Sequence, residues 1–373
     1  MSSDTFGGLI GPFGGSRLDR YRFVVNQGRR LNLRLPAAML ATVVGPAAVS
    51  GTAVALNLSR EPTPSTAPEQ SSEDGAPPQL GARFAPYLVY DSGEGYVPVS
   101  RARYVPQTAL YLLRDRKLGR DQRVETDPTP TLETLPSPSK PPTCPPWFRE
   151  CHYYLQVRGH RTTDGPRGYL ATQAAILIGD PRPVVYWHFN PDEHTLQYWF
   201  FYVFNYFANW HEGDWEQITL QLDRADEPVR AGFSSHHGGQ STPWPTLDPT
   251  YGRKGTHIVV FVARGSHANY FGPGKHHVPE CRSFCRDRSN GCGRILAPAD
   301  YRLIPFEPAV FEGDYGSGNF LAKGLKRIGQ GINVSDPQTR RDTFGDPLAW
   351  LAGTHPADRL ATSWCAGTPA QHP

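Results

Sequence analysis

Between residues 82 and 320 no apolar run goes far before a turn residue stops it. Glycine and proline number 37 each, and such frequent punctuation leaves little room for long helices. Between the turns lie short stretches rich in aromatic and β-branched residues: PYLVY (86–90), ALYLL (109–113), HYYLQV (152–157), PVVYWHF (183–189), TLQYWFFYVFN (195–205), WEQITLQLD (215–223), HIVVFVA (257–263) and YRLIPF (301–306). Side chains of this kind fit a pleated surface. Runs like these, joined by long loops, predict a mainly β protein folded as a β-sandwich.

Alternation assigns faces. In DWEQITLQLD, Asp214, Glu216, Ile218, Leu220 and Leu222 share one side; Trp215, Gln217, Thr219, Gln221 and Asp223 share the other. The aliphatic side must face the core, so Gln217, Thr219 and Gln221 are expected to face water. HIVVFVA lacks alternation and reads as a central strand covered on both faces.

That parity turns Asp214 and Glu216 inward at the rim of the core, where an unpaired carboxylate costs several kcal/mol or changes its pKa. A divalent cation held together with His211 would compensate, and Gly213 would let the chain bend so that His211 reaches the same point. Two hard oxygen donors with one imidazole suit Mg²⁺ or Ca²⁺ better than Zn²⁺. The competing reading is an acidic turn in which Asp214 caps, Glu216 pairs with an arginine and His211 is solvated.

These residues carry two resemblances. FAPYLVYDSGEGYVPVS (84–100), YWFFYVFN (198–205), HEGDWEQITLQL (211–222) and VVFVARGSHANYF (259–271) together look like the vacuolar protein sorting-associated protein 62 family. That likeness implies a fold and no established activity. More distantly, His211-x-x-Asp214-Trp215-Glu216 is similar to the G-H-R-H-D-W-E heptapeptide of the necrosis- and ethylene-inducing peptide-like cytolysins. Those secreted β-sandwiches bind a divalent cation through the heptapeptide His, Asp and Glu with an upstream Asp, and attack membranes through sphingolipid head groups. The resemblance implies metal ligation by His211, Asp214 and Glu216. Gly213 replaces the family's second His, and Asn205 stands where its upstream Asp would lie. Ser266-His267-Ala268 is similar to its later S-H-G segment.

After the HIVVFVA run, Gly265 and Asn269 suggest a turn that brings His267 near the acids, as a ligand or as a partner orienting one. Ser266 beside it makes a poor catalytic pair, since adjacent strand residues point apart and no G-x-S-x-G elbow exists. Cys144, Cys151, Cys281, Cys285, Cys292 and Cys365 are an even set: disulfides in an oxidising compartment, thiols or metal ligands otherwise. His277-x3-Cys281-x3-Cys285-x6-Cys292 is looser than a structural zinc site, which favours disulfides. Cys144 and Cys151 could close a short loop. His236 lies in an expected long loop, 232–256.

The organisation reads as a basic region (1–35), an uncharged apolar signal peptide or membrane anchor (36–58), a disordered Pro/Ser-rich linker (59–81), the β-sandwich (82–320) and a loosely packed C-terminal extension (321–373) with a short helix near Pro347–Ala352. A net charge of +3 gives nucleic-acid binding no support. The expected protein is secreted, or anchored with its domain outside the cytoplasm. The expected function is non-enzymatic, cation-dependent binding of a glycan or lipid head group, with membrane association compatible. A metal-dependent hydrolase and an intracellular sorting adaptor are the alternatives.

Overall fold

The computed structural model describes residues 78–115, 122–137, 150–160, 164–207, 210–236, 238–278 and 285–306, and beyond them 310–311, 313–316, 335–340, 343–363 and 365. All lie in the unit running from Ala67 to Pro373. Helix α1 (Pro78–Arg83) leads to β1 (Tyr87–Tyr90), α2 (Arg101–Tyr104), β2 (Thr108–Asp115), β3 (Gln122–Asp127) and β4 (Glu150–Val157). After α3 (Pro166–Leu177) come β5 (Val184–Asn190), β6 (Thr195–Asn205), β7 (His211–Leu222), β8 (Pro228–Ser235) and β9 (Gly238–Pro243). Shorter strands follow: β10 (Arg253–Lys254), β11 (His257–Val262), β12 (Asn269–Tyr270), β13 (Gly274–His277), β14 (Arg286–Ser289), β15 (Ile295–Leu296), β16 (Arg302–Pro305) and β17 (Gly313–Asp314). Helix α4 (Pro347–Gly353) and β18 (His355–Pro356) end the described fold. Every apolar run quoted above contributes a strand, and the protein is mainly β.

The principal sheet is ordered β16-β5-β6-β7-β8-β9-β18. A second is ordered β10-β11-β1-β15, with β12 on β11; a third runs β17-β4-β2-β3, and β13-β14 form a separate ribbon. Strand β6 is buried along its whole length because layers cover both sides of the principal sheet. On one side, Phe233 stacks on Phe271 at 3.8 Å, and the Tyr90 and Tyr202 hydroxyls meet at 3.4 Å. On the other, Trp199, Phe201 and Trp215 pack against Tyr104, Phe306, Tyr315 and Phe344. Each fully buried large side chain contributes roughly 1.5–3 kcal/mol over an exposed one. Strand β11 is covered on both faces, as its unbroken apolar run predicts.

The second covering layer overturns two expectations. Gln217 and Thr219 are buried, not solvated. Gln197 lies opposite Thr219 and donates to its hydroxyl (3.3 Å) and to the Thr343 carbonyl (2.6 Å), while Thr219 donates to Gln217 (2.8 Å). Residues near 343 thus roof this polar stripe. The described C-terminal residues are accordingly part of the core: Arg101 and Asp336 form a fully buried ion pair at 2.8 Å, and β18 extends the principal sheet alongside β9. Helix α4 falls where a short helix was expected.

At the other end, α1 claims the last residues assigned to the linker. Leu80 is buried and Tyr198 donates to the Gly81 carbonyl. The expected loop 232–256 is instead partly strand: it holds the end of β8 and all of β9, paired as a hairpin. The basic region, the apolar segment 36–58 and the linker up to 77 lie outside the described residues. Among the described residues no helix is long and apolar enough to cross a membrane.

Candidate functional site

Strand β7 pairs antiparallel with β6, setting Asn205 opposite His211, Tyr202 opposite Asp214 and Phe200 opposite Glu216. Gly213 interrupts its alternation with φ 65°, a left-handed conformation that costs an L-residue about 1–2 kcal/mol and glycine almost nothing. Glu212 consequently leaves the side occupied by Asp214. It accepts hydrogen bonds from Tyr169 Oη (2.5 Å) and the Val157 amide (3.4 Å). Asp214 meets the other layer, where the turn after β11 presents His267.

Topology supplies a third acid. Strands β1 and β11 run parallel, with Tyr90 beside Val262, so the loops leaving them travel together. Glu94 thereby arrives next to the 264–267 turn, accepting from the Tyr96 amide (2.8 Å), the Gly265 amide (2.6 Å) and Tyr206 Oη (3.2 Å). His267 lies between two carboxylates. Its Nδ1 donates to Asp214 Oδ2 at 2.8 Å, and its Nε2 is 3.8 Å from Glu94 Oε1, an ion pair longer than a hydrogen bond. The ring stacks on Tyr202 with 3.9 Å between centroids. Burial pushes its pKa down, but the Glu94 charge and the Asp214 hydrogen bond prevail and raise it to about 9. Burial would raise Glu94, yet the His267 charge and the amide bonds hold its carboxyl below the ordinary range. His267 is thus an imidazolium at neutral pH, serving both acids.

Glu216 has no such counterpart. Burial first, and the nearby Asp214 charge second, raise its pKa well above the ordinary carboxylate value and outweigh the more distant His236 and His267 charges; Ser234 Oγ, from β8, bonds to it directly. Among the described residues no basic side chain forms an ion pair with it. His211 is the neutral member of the group, kept so chiefly by burial. Its Nδ1 lies 2.7 Å from the Gly213 carbonyl, which can only accept, so the proton sits on Nδ1 and Nε2 carries the lone pair.

Beyond His267, Asp287 of β14 accepts from Ser266 Oγ (2.7 Å), Tyr270 Oη (2.6 Å) and His236 Nε2 (2.7 Å). Burial raises Asp287, but the His236 hydrogen bond and charge more than offset it and leave the acid below its usual range. Ser266 therefore serves a carboxylate and is not paired with a base.

No family model matches the chain, and no curated protein matches it, so the resemblance to the vacuolar protein sorting-associated protein 62 family gains no support. Solved structures similar to it include NLPPya in complex with mannosamine, at 14% identity over 62% of this chain and 73% of that one, with a TM-score of 0.28. Necrosis and Ethylene inducing Protein 2 from the causal agent of cocoa's Witches Broom disease is 12% identical over 78% of this chain and 93% of that one, TM-score 0.28. The non-toxic HaNLP3 protein is 12% identical over 62% and 75%, TM-score 0.25. These are proteins of the group suggested by the H-x-x-D-W-E spacing, but scores this low do not establish a shared fold.

The structure brings Asp214, Asn205, His267 and Ser266 into one neighbourhood, with Glu216 on the same strand face as Asp214. Asn205 has both ends engaged: Nδ2 donates to Asp214 (3.2 Å) and the Ser266 carbonyl (3.4 Å), and Oδ1 accepts from the Phe207 amide (3.0 Å). It positions Asp214, and its Oδ1 already accepts one hydrogen bond. Among the described residues no three His, Cys, Asp or Glu side chains are gathered as a ready chelate. Glu94 and Asp287 were missed from sequence. Glu94 carries a faint signal, an acid between glycines directly after a strand.

The cysteines resolve in favour of disulfides. Cys292 is bonded to Cys365, Cys285 is also disulfide-bonded, and no described cysteine is free. The zinc alternative through Cys285 and Cys292 is thereby removed. Cys144 and Cys281 lie outside the described residues, as does the Cys151 side chain.

Proposed function

We propose that this chain is a non-enzymatic binding module in which Asp214 and Glu216 seat a divalent cation that bridges to hydroxyl or anionic groups of a glycan or lipid head group. The observation that carries the reading is the charge imbalance. Glu94 and Asp214 share one imidazolium, while burial and the nearby Asp214 charge raise the pKa of Glu216. A hard cation seated there would neutralise both acids of β7. His211 Nε2, with Nδ1 already committed to a carbonyl, has the tautomer that a metal-ligating imidazole needs. Two carboxylates leave most of the coordination sphere to water and ligand oxygens, which suits a bridging role for Ca²⁺ or Mg²⁺. Disulfides at Cys292–Cys365 and Cys285 fit an extracytoplasmic site of action.

The test is calorimetry of the chelator-stripped full chain with CaCl₂, MgCl₂ and MnCl₂, run at a series of pH values. Binding should tighten as pH rises, because the raised Glu216 carboxyl must be ionised to hold the ion, and should be lost in Asp214→Asn and Glu216→Gln. A glycan and liposome screen with and without the cation then reads ligand dependence. Equal metal content in wild type and both variants, or ligand binding unchanged by chelator, would end the proposal.

A further inference from the structure

We propose that the outer face of the β13–β14 ribbon is a second site, separate from the acidic one, that takes a tetrahedral oxyanion: a phosphate or sulfate monoester. The ladder places Lys275 directly opposite Arg288 and His277 opposite Arg286. Alternation exposes Lys275, His277, Arg286 and Arg288 and buries His276, Asp287 and Ser289. Like charges facing one another across a strand pair destabilise it, so an uncompensated Lys275–Arg288 pair is a cost to the bare fold. The inner face gives no reason for it. There His276 bonds Ser289 (2.8 Å) and stacks on Tyr270 (3.6 Å between centroids).

A third cation comes from the C-terminal segment. Arg359 lies against Gly274 so closely that a Cβ there would sit 2.6 Å from Nη1, and Nη1 donates to the Pro273 carbonyl at 3.3 Å. The glycine leaves room for the guanidinium, and the carbonyl helps to fix it. Gly274, Lys275, Arg288, Asn290 and Arg359 line an open cleft of about 380 Å³, a size that accommodates a phosphorylated or sulfated monosaccharide. Of the neighbouring acids, Asp287 is buried under His236, Ser266 and Tyr270, and Asp358, paired with His276 at 3.1 Å, offsets part of the Arg359 charge and leaves Lys275 and Arg288 opposite one another. Net charge is only +3 on the whole chain, so gathering Lys275, Arg288 and Arg359 in one cleft is not a by-product of a basic surface. Two guanidinium forks and an ammonium are the donors that phosphate and sulfate groups need.

The experiment titrates the full, disulfide-intact chain with glucose, glucose 6-phosphate and glucose 6-sulfate at low salt. A monoester should bind at least about tenfold more tightly than glucose, as charge-assisted hydrogen bonds imply. Arg288→Ala and Arg359→Ala should each weaken it about tenfold, Arg288→Glu should abolish it, and added chloride should weaken it progressively. Binding of the phosphate alone, the sulfate alone or both identifies the source and supports the site. Asp214→Asn should leave monoester affinity unchanged, and Arg288→Ala should leave cation binding unchanged, so the two sites fail separately. Monoesters no better than glucose, affinity unmoved in both arginine variants, or binding to anionic vesicles without any monoester binding would overturn it. Arg288 and Arg359 are exposed, so the variants should melt like wild type, which a thermal scan checks.

Discussion

Raising the pH should strip the fold of stability as His267 loses its proton. His267 holds its proton to about pH 9 in the folded protein, against an ordinary value of 6.5. A pKa raised on folding stabilises fully below the unfolded value, and the benefit drains away as pH rises through the folded one. The window is therefore pH 6.5 to about 9, and at roughly 1.36 kcal/mol per decade the loss is about 3 kcal/mol. The assay is urea unfolding followed by tryptophan fluorescence at half-unit pH steps, with chelator present so that no cation masks the acids. Wild type should lose about 3 kcal/mol across the window. His267→Asn should lose the histidine's share of that slope, leaving only what the raised Glu216 carboxyl contributes, from a starting point roughly 3–5 kcal/mol lower because Glu94 and Asp214 lose their counter-charge. If that variant is too unstable to fold, Glu94→Gln serves instead: it removes the leading upward influence on His267, so the loss should still start near pH 6.5 but end at lower pH and be smaller. A wild-type curve flat from pH 6.5 to 9, or a His267→Asn curve parallel to it, would refute the assignment of His267 as the charge that binds the two layers.

Other perturbations read other parts of the same molecule. Arg101→Leu strands the Asp336 carboxylate in a site where both side chains are fully buried, and should cost roughly 3–5 kcal/mol in chemical denaturation. Cys292→Ser with Cys365→Ser opens a link spanning 73 residues; on chain entropy it should cost about 4 kcal/mol, measured as a fall in denaturation midpoint under non-reducing conditions. Gly213→Ala, at φ 65°, should cost about 1–2 kcal/mol and weaken cation binding with it, because the bend sets His211 relative to Asp214; calorimetry on the folded variant reads the second effect.

What could be read in advance was local. Runs such as TLQYWFFYVFN and HIVVFVA declare strands by side-chain type, and the parity of DWEQITLQLD put Asp214 and Glu216 on one face of β7. What could not be read depended on which strands become neighbours. Gln217 and Thr219 look solvated until residues near 343 fold back over them. Glu94 looks like a turn acid until β1 and β11 pair in parallel and deliver it to His267, more than 170 positions later. The same long-range pairing changes the electrostatic argument. Two inward carboxylates on one strand demand a positive partner, and sequence offered an inorganic one. The fold supplies an imidazolium for Asp214 and extends its service to Glu94, which leaves Glu216 holding a proton above its ordinary range. Proton and metal ion then compete for one carboxylate. Cation affinity should accordingly climb with pH until Glu216 has ionised and level off above that point, whereas an Asp214-only site would show no such plateau set by its neighbour.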